Sequence, residues 1–385
     1  MAEALSGAEL EALVARVFQP GPADRGLAIL VDLPDAQVAD TPGWAQRRAM
    51  AADWCALLAG RTGPGYAVRL VLYRNAHSNN GELPERAWIH GGGPLPAAAE
   101  ALDPAASVPF PDIYAAHSML IAPTHFSATA PLKIAARSHP FRAATMPGFG
   151  PEMIPALRLD YTEINRRVER LKTLLDHAEG AHLRFAHPGG TCELHLDLRG
   201  RTAHASGGLL PRNGVAGNLP SGEAYLVPYE GERPGDPSRS AGELPVQFGP
   251  EVVRYRIEGN RAVAVLSEGP ESSREAALIR GEPAYANLAE LGLGVLAAFG
   301  IKPIGSVLLD EKLGLHIAFG RSDHFGGTVG PAQFSSPDAV IHIDRVYVPE
   351  IMPAVRVRAL DLLDAGGIAV PVLRDDAYVL DFGAP

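Results

Sequence analysis

The chain has 385 residues, a formal net charge of −10 and no clustering of its 34 Lys and Arg residues. Phosphate backbones are held by grouped basic side chains, so this balance argues against nucleic acid and for a small-molecule or peptide substrate. A hydrophobic share of 46% with 20% charged residues describes a globular protein, and the length predicts two domains. No window approaches the roughly 18 apolar residues of a spanning helix. Met1–Val14 carries Glu3, Glu9 and Glu11 instead of a basic region followed by an apolar run, so no secretory signal and no membrane association are expected, and a cytoplasmic location is. Cys55 and Cys192 have none of the spacing of a thiolate metal site or a disulfide framework and read as ordinary thiols.

The first 150 residues alternate short apolar strands with helix-like segments: Leu27–Leu33, Trp44–Leu58, Ala67–Tyr73, Ser118–Ala122, Leu132–Arg137 and Phe141–Met146. This rhythm predicts a parallel sheet flanked by helices. Clusters of Pro, Gly and Asn at 75–81 and 91–96 mark loops, and Gly91-Gly92-Gly93 lacks the spacing and the Lys of a phosphate loop. Asp160 and Glu163 form a candidate capping box for a helix with Ile164, Val168, Leu171, Leu174 and Leu175 on one face. Thr191–Arg199 then alternates strictly, with Leu194, Leu196 and Leu198 on one face and Glu193, His195 and Asp197 on the other. Val252–Ile257 and Arg261–Leu266 flank Glu258-Gly259-Asn260, which predicts a tight hairpin. Pro228–Pro245 reads as a surface loop, and Glu271–Leu293 as a helix interrupted near Gly281 and Pro283. The fold class expected is α/β in two domains: an N-terminal parallel-sheet α/β domain over 1–180, and a C-terminal α+β domain over 181–385 whose mostly antiparallel strands carry a metal site.

Carboxylates and imidazoles accumulate in the last third of the chain, and such oxygen and nitrogen donors hold divalent ions. Glu223 follows the rigid turn Asn218-Leu219-Pro220-Ser221-Gly222 at the entrance to a strand, where a solvated turn glutamate is the plain alternative. Glu290 is a lone carboxylate in the apolar run Leu288–Gly294; burying it unpaired is costly unless it meets a cation or sits at a helix end facing water. Glu311 precedes His316 by five residues, so one loop-to-strand unit could deliver an oxygen and a nitrogen ligand, although a lone histidine on an apolar strand is often a satisfied core residue. In Val340–Val346, alternation puts His342 and Asp344 on one face, about 7 Å apart, a spacing that suits convergence on one ion or a surface pair on an edge strand. His125 and Ser127 follow a strand of the first domain, where a parallel sheet presents ligand-facing loops.

The motifs Asn-Leu-Pro-Ser-Gly-Glu, Ala-Glu-Leu-Gly-Leu-Gly, Leu-Asp-Glu-Lys-Leu-Gly-Leu-His-Ile-Ala-Phe-Gly and His-Ile-Asp stand in this order between about Asn218 and Tyr347. Together they resemble the thermophilic metallopeptidase family of aminopeptidases T and S. The resemblance implies a two-domain subunit, a homodimer and two divalent ions (zinc, cobalt or manganese) held by Glu223, Glu290, Glu311, His316, His342 and Asp344. Glu290 would then stand nearest the reactive water. The family's catalytic tyrosine is absent from Gly320–Gly327, where Arg321 or His324 would have to replace it. The fold is shared with 2,5-dihydroxypyridine dioxygenases. Likeness to them implies one Fe(II) held by His316, His342 and Asp344, and ring cleavage of a dihydroxylated aromatic.

Overall fold

The computed structural model describes residues 3–61 and 66–383. One unit comprises Met1–Asn165 and Gly208–Ser221, the other Arg166–Gly207 and Gly222–Pro385.

The first unit is built on a seven-stranded sheet in the order Ala216–Asn218, Arg142–Thr145, Met119–Ala122, Gly26–Leu33, Ala67–Arg74, Arg86–Ile89, Val108–Pro109. The first five strands run parallel and the last two are added antiparallel at one edge. Every residue of Gly26–Leu33 is buried, as a central parallel strand covered on both faces requires. Ala28 and Leu30 share a core with Phe110, Ile113 and Leu132 from helices Phe110–Ala116 and Thr129–Ala136, while Leu27, Ile29 and Val31 alternate to the other face. The Leu132–Arg137 segment therefore enters the alternation as helix.

At the start of the strand next to this sheet's edge Arg142, 3% exposed, donates to both carboxylate oxygens of Asp24, at 2.7 and 2.9 Å, to the Phe18 carbonyl and to Asn213 Oδ1. Its guanidinium holds the Asp24 carboxyl well below the usual carboxylate range, outweighing the opposing effect of burial.

In the second unit an eight-stranded antiparallel sheet runs Arg261–Val265, Glu251–Glu258, Ala241–Phe248, Gly190–Asp197, Gly180–His187, Arg356–Leu363, Ala369–Arg374, Ala377–Tyr378. The hairpin expected at Glu258-Gly259-Asn260 is present, with φ of 56° at Gly259 and 68° at Asn260, the left-handed pair of a tight two-residue turn. Asn260 is buried and its amide donates to the Leu288 carbonyl at 2.8 Å, which fixes the start of the next strand. Helix Tyr161–Asp176 begins where Asp160 accepts from the backbone of Thr162 and Glu163, and it buries Ile164, Val168, Leu171 and Leu175.

The remaining sheet has five antiparallel strands in the order His342–Val346, Leu315–Gly320, Leu288–Gly294, Glu223–Leu226, His204–Ser206. One expectation is corrected here. Only Pro270–Gly281 of the Glu271–Leu293 segment is helical, and Leu288–Gly294 is a fully buried strand. Ala, Glu and Leu favour a helix when local propensity decides. Flanking partners on both sides supply the burial and ladder bonds that make this run a strand instead.

Arg142→Ala is expected to lower the unfolding free energy by about 1–3 kcal/mol, because it removes a buried guanidinium and leaves the half-buried Asp24 carboxylate only the Ser118 hydroxyl and the Gly21 N–H. A shifted urea midpoint with an unchanged slope would show it; a loss below about 1 kcal/mol would mean that water replaces the guanidinium without cost.

Candidate metal centre

Cross-strand register assembles the site. Directly paired residues share a face, and the pairs Glu223 with Gly294, Tyr225 with Gly292, Gly292 with His316, Glu290 with Ala318, Ala318 with Asp344, and Gly320 with His342 put every one of these side chains on the same side of the five-stranded sheet. Gly292, Gly294, Ala318 and Gly320 form a floor of small residues between the donors. A Cβ on Gly292 would fall inside the His316 imidazole, so the missing side chain at 292 is what lets that ring lie across the neighbouring strand.

Two groups of donors result: Glu223, Glu290 and His316, all buried, and Glu290, His342 and Asp344, the last two half-buried. Within each group one ligand atom per residue lies within 4.8 Å of the others. Glu290 belongs to both. Its Oε1 is 3.2 Å from Nε2 of His316, and its Oε2 is 3.2 Å from Nε2 of His342. Nε2 of His316 also stands 3.5 Å from Glu223 Oε2, and Nε2 of His342 stands 3.6 Å from Asp344 Oδ1.

The other ring nitrogen of each histidine meets a backbone carbonyl, Nδ1 of His316 with Gly314 at 3.3 Å and Nδ1 of His342 with Arg321 at 2.7 Å. A carbonyl only accepts, so each Nδ1 carries a proton and each Nε2 is turned toward the carboxylates. Metal-ligating histidines are oriented in this way.

The charges respond accordingly. Burial opposes ionisation of Glu290, but hydrogen bonds from His316 and His342 hold its carboxyl below the ordinary range. Burial likewise opposes Asp344, and the His342 charge keeps it well below. For His316 burial would depress the imidazole, yet the Glu290 hydrogen bond and the charges of Glu290, Glu223 and Asp344 carry it up to about 9. In the absence of an ion, protons on the two imidazoles stand in for cations. They do not satisfy the whole site: Glu223 Oε2 and Asp344 Oδ1 are buried without a hydrogen-bond partner. Leaving a carboxylate oxygen in that state is costly, and a divalent ion between the donors would remove the cost. The donor set, carboxylate oxygen with imidazole nitrogen, fits such an ion.

Glu311 lies outside both groups. It forms an ion pair with Lys312, and burial pushes its carboxyl up to about 8, the Lys312 charge opposing and Glu223 and Asp344 adding to the rise. The triad His316, His342 and Asp344 is divided between the groups, joined through Glu290. The Arg321 side chain is engaged by Asp323, its Nε donating to Oδ1 at 2.5 Å, while its carbonyl anchors His342. His324 packs on Phe325 and edge-on to His342, with ring centroids 3.8 and 5.3 Å apart. Burial, together with the nearby positive charges of His342 and Arg321, pushes its imidazole down to about 4. His195 is paired with His182 in the eight-stranded sheet, and His125 is stacked on Trp44 in the first unit at 4.2 Å.

Two residues of this face were not singled out in the sequence. Tyr225, two residues after Glu223 on the same strand and so on its face, stacks on His204 at 5.2 Å and meets Phe325 edge-on at 5.1 Å. Lys312 is fully buried, with Nζ 2.7 Å from Glu223 Oε1. Alternation could have found the first. The second depends on a contact spanning 89 residues of sequence, which no local pattern reveals.

No protein-family model and no curated protein sequence matches the chain. Among solved structures it is similar to 2,5-dihydroxypyridine dioxygenase from Pseudomonas putida KT2440, with a TM-score of 0.62 at 15% identity over 98% of this chain and 99% of that one. It is also similar to wild-type AmpT from Thermus thermophilus, with a TM-score of 0.51 at 18% identity over 97% and 99% of the two chains. At these identities the likeness establishes a shared fold over nearly the whole length.

Two outcomes are expected. Below pH 6.5 the His316 imidazole, held at about 9, contributes its full stabilisation to ion-free protein, and this is lost as pH rises through 9. Glu311 acts in the same sense, since its unfolded carboxyl ionises near pH 4.5 and the buried one only near 8. The melting temperature of chelator-treated protein should therefore fall steadily between these limits, and a rise would contradict the charge assignment. Gly292→Ala should displace His316 and reduce bound metal, read by elemental analysis of folded variant protein.

Proposed function

We propose that the chain is a metal-dependent hydrolase, similar to aminopeptidases T and S, that cleaves a peptide or small amide with a metal-activated water. The observation that carries this reading is the Glu290 carboxylate, one oxygen turned to each of two imidazole-bearing donor groups. A carboxylate so placed can be shared by two ions of the zinc, cobalt or manganese type. Such ions, when bound, polarise a scissile carbonyl and bring the pKa of a bound water toward neutrality.

The chain's own residues would then divide the work. Glu223, His316, His342 and Asp344 hold and orient, their imidazoles fixed by the Gly314 and Arg321 carbonyls. Glu290 would be the carboxylate nearest the attacking water, and with one oxygen turned to each donor group it would hold and orient. His324 stands against His342 as a neutral imidazole, which can donate one hydrogen bond and accept another. Arg321 acts through its carbonyl. Tyr225 offers a phenol on the donor face for a developing oxyanion, in place of the tyrosine absent from Gly320–Gly327. A homodimer is the setting that the family resemblance carries with it.

A second reading, a mononuclear Fe(II) ring-cleaving dioxygenase, is favoured by one observation of its own. Rings line the donor face in sequence, His204 on Tyr225, Tyr225 on Phe325 and Phe325 on His342, a wall suited to a flat aromatic substrate.

His342→Ala should lose metal from the Glu290–Asp344 group and reduce turnover at least about a thousandfold, as removal of a ligand to a catalytic ion does. Assays with aminoacyl-anilides and, under oxygen, with dihydroxypyridines separate the readings. Hydrolysis dependent on zinc, cobalt or manganese supports the first; oxygen uptake dependent on iron replaces it with the second.

A further inference from the structure

Lys312 makes the two donor groups unequal. Its ammonium is fully buried, 2.7 Å from Glu223 Oε1 and paired with Glu311. It sits in the turn Glu311–Leu313, and the backbone of that turn is pressed onto Gly294, the cross-strand partner of Glu223. A Cβ at 294 would collide with the Lys312 carbonyl carbon and with the Glu311 carbonyl oxygen, and the Gly294 N–H donates to the Gly314 carbonyl at 2.8 Å. The turn therefore delivers a cation to Glu223 from a fixed base.

Among the described residues no ammonium pairs directly with the other group, although the Lys312 charge is also felt at Asp344. Among the described residues, the ion pairs of Glu290 and Asp344 are with imidazoles only. An imidazole that gives up its Nε2 proton becomes a ligand, whereas an ammonium remains a competing charge. At Glu223 an ion must share the carboxylate with the Lys312 ammonium 2.7 Å from Oε1, a contact that neither His342 nor Asp344 makes.

We infer that Lys312 is a built-in counter-cation that sets the order of metal loading. Glu290, His342 and Asp344 take a divalent ion tightly; Glu223, Glu290 and His316 take a second one weakly, so that it exchanges with the surrounding pool. This rests on the reading of the site as a metal centre. It adds that full occupancy follows the supply of free divalent cation.

The test is a titration of chelator-stripped full-length protein with Zn²⁺ and, separately, Mn²⁺, by calorimetry and by equilibrium dialysis with elemental analysis. Wild-type protein should bind one ion at least about a hundredfold more tightly than the second, the scale of one unit charge at close range in a partly screened site. Lys312→Gln should tighten the second ion by about a hundredfold and change the first by less than about tenfold, while Lys312→Arg should keep the wild-type pattern. Because Lys312→Gln leaves the Glu223 and Glu311 carboxyls without their shared ammonium and could impair folding, the double variant Lys312→Gln/Glu311→Gln, which replaces both members of that pair by amides, is titrated alongside. Circular dichroism verifies that each variant is folded. Two equally tight ions in the wild type, or a second ion whose affinity is the same in wild type, Lys312→Gln and the double variant, overturn the inference and leave the metal centre standing. Absence of binding in every form overturns both.

Discussion

Four carboxylates, Glu223, Glu290, Glu311 and Asp344, converge where little water reaches them, and their mutual repulsion has to be answered by positive charge. The rest of the second unit is arranged around that requirement. Two imidazoles and one ammonium supply part of the answer, and two carboxylate oxygens still lack a donor. A face with this composition would be a poor way to stabilise a sheet, since apolar residues of similar volume would do better at lower cost. Its retention makes sense if the charge is there to hold something.

Geometry is supplied by what the sheet omits. Gly292, Gly294, Ala318 and Gly320 remove side chains from the positions between the donors, so that the His316 ring and the Lys312 turn can approach the strands closely. Glu223, Glu290 and His316 sit on strands buried at every position, His342 and Asp344 on a half-buried edge strand laddered to them, and their precision is that of the hydrogen-bond ladder. The conformational freedom of a loop-borne site is largely absent.

Much of this was legible in the residues. Alternation alone put His342 with Asp344, and Leu315–Phe319 was readable as a strand bearing His316. The alternating rhythm of the first 150 residues announced a parallel sheet, and Gly259-Asn260 announced its hairpin. What was not legible depends on distant partners. Leu288–Gly294 shows neither β-branched residues nor polar–apolar alternation and becomes a strand because two neighbours bury it. Ala216–Asn218, a three-residue strand of Ala, Gly and Asn, has no propensity for the sheet it joins and exists only as an edge to Arg142–Thr145. Lys312 reads as one charge in a polar run until Glu223 is placed beside it.

The ladder between Leu288–Gly294 and Leu315–Gly320 has an irregularity whose effect is larger than its size. Leu288 is opposite Phe319 and Glu290 is opposite Ala318, so the register slips between them and two residues that simple alternation would aim the same way point apart. Ala289 takes up the slip, so Glu290 stands opposite Ala318 on the donor face while Leu288 turns to the other; loss of Leu291, inside the regular ladder, would turn Glu290 away from His316 with every ligand still present. The shared carboxylate thus depends on the count of residues between Glu290 and Gly292 as much as on its own identity.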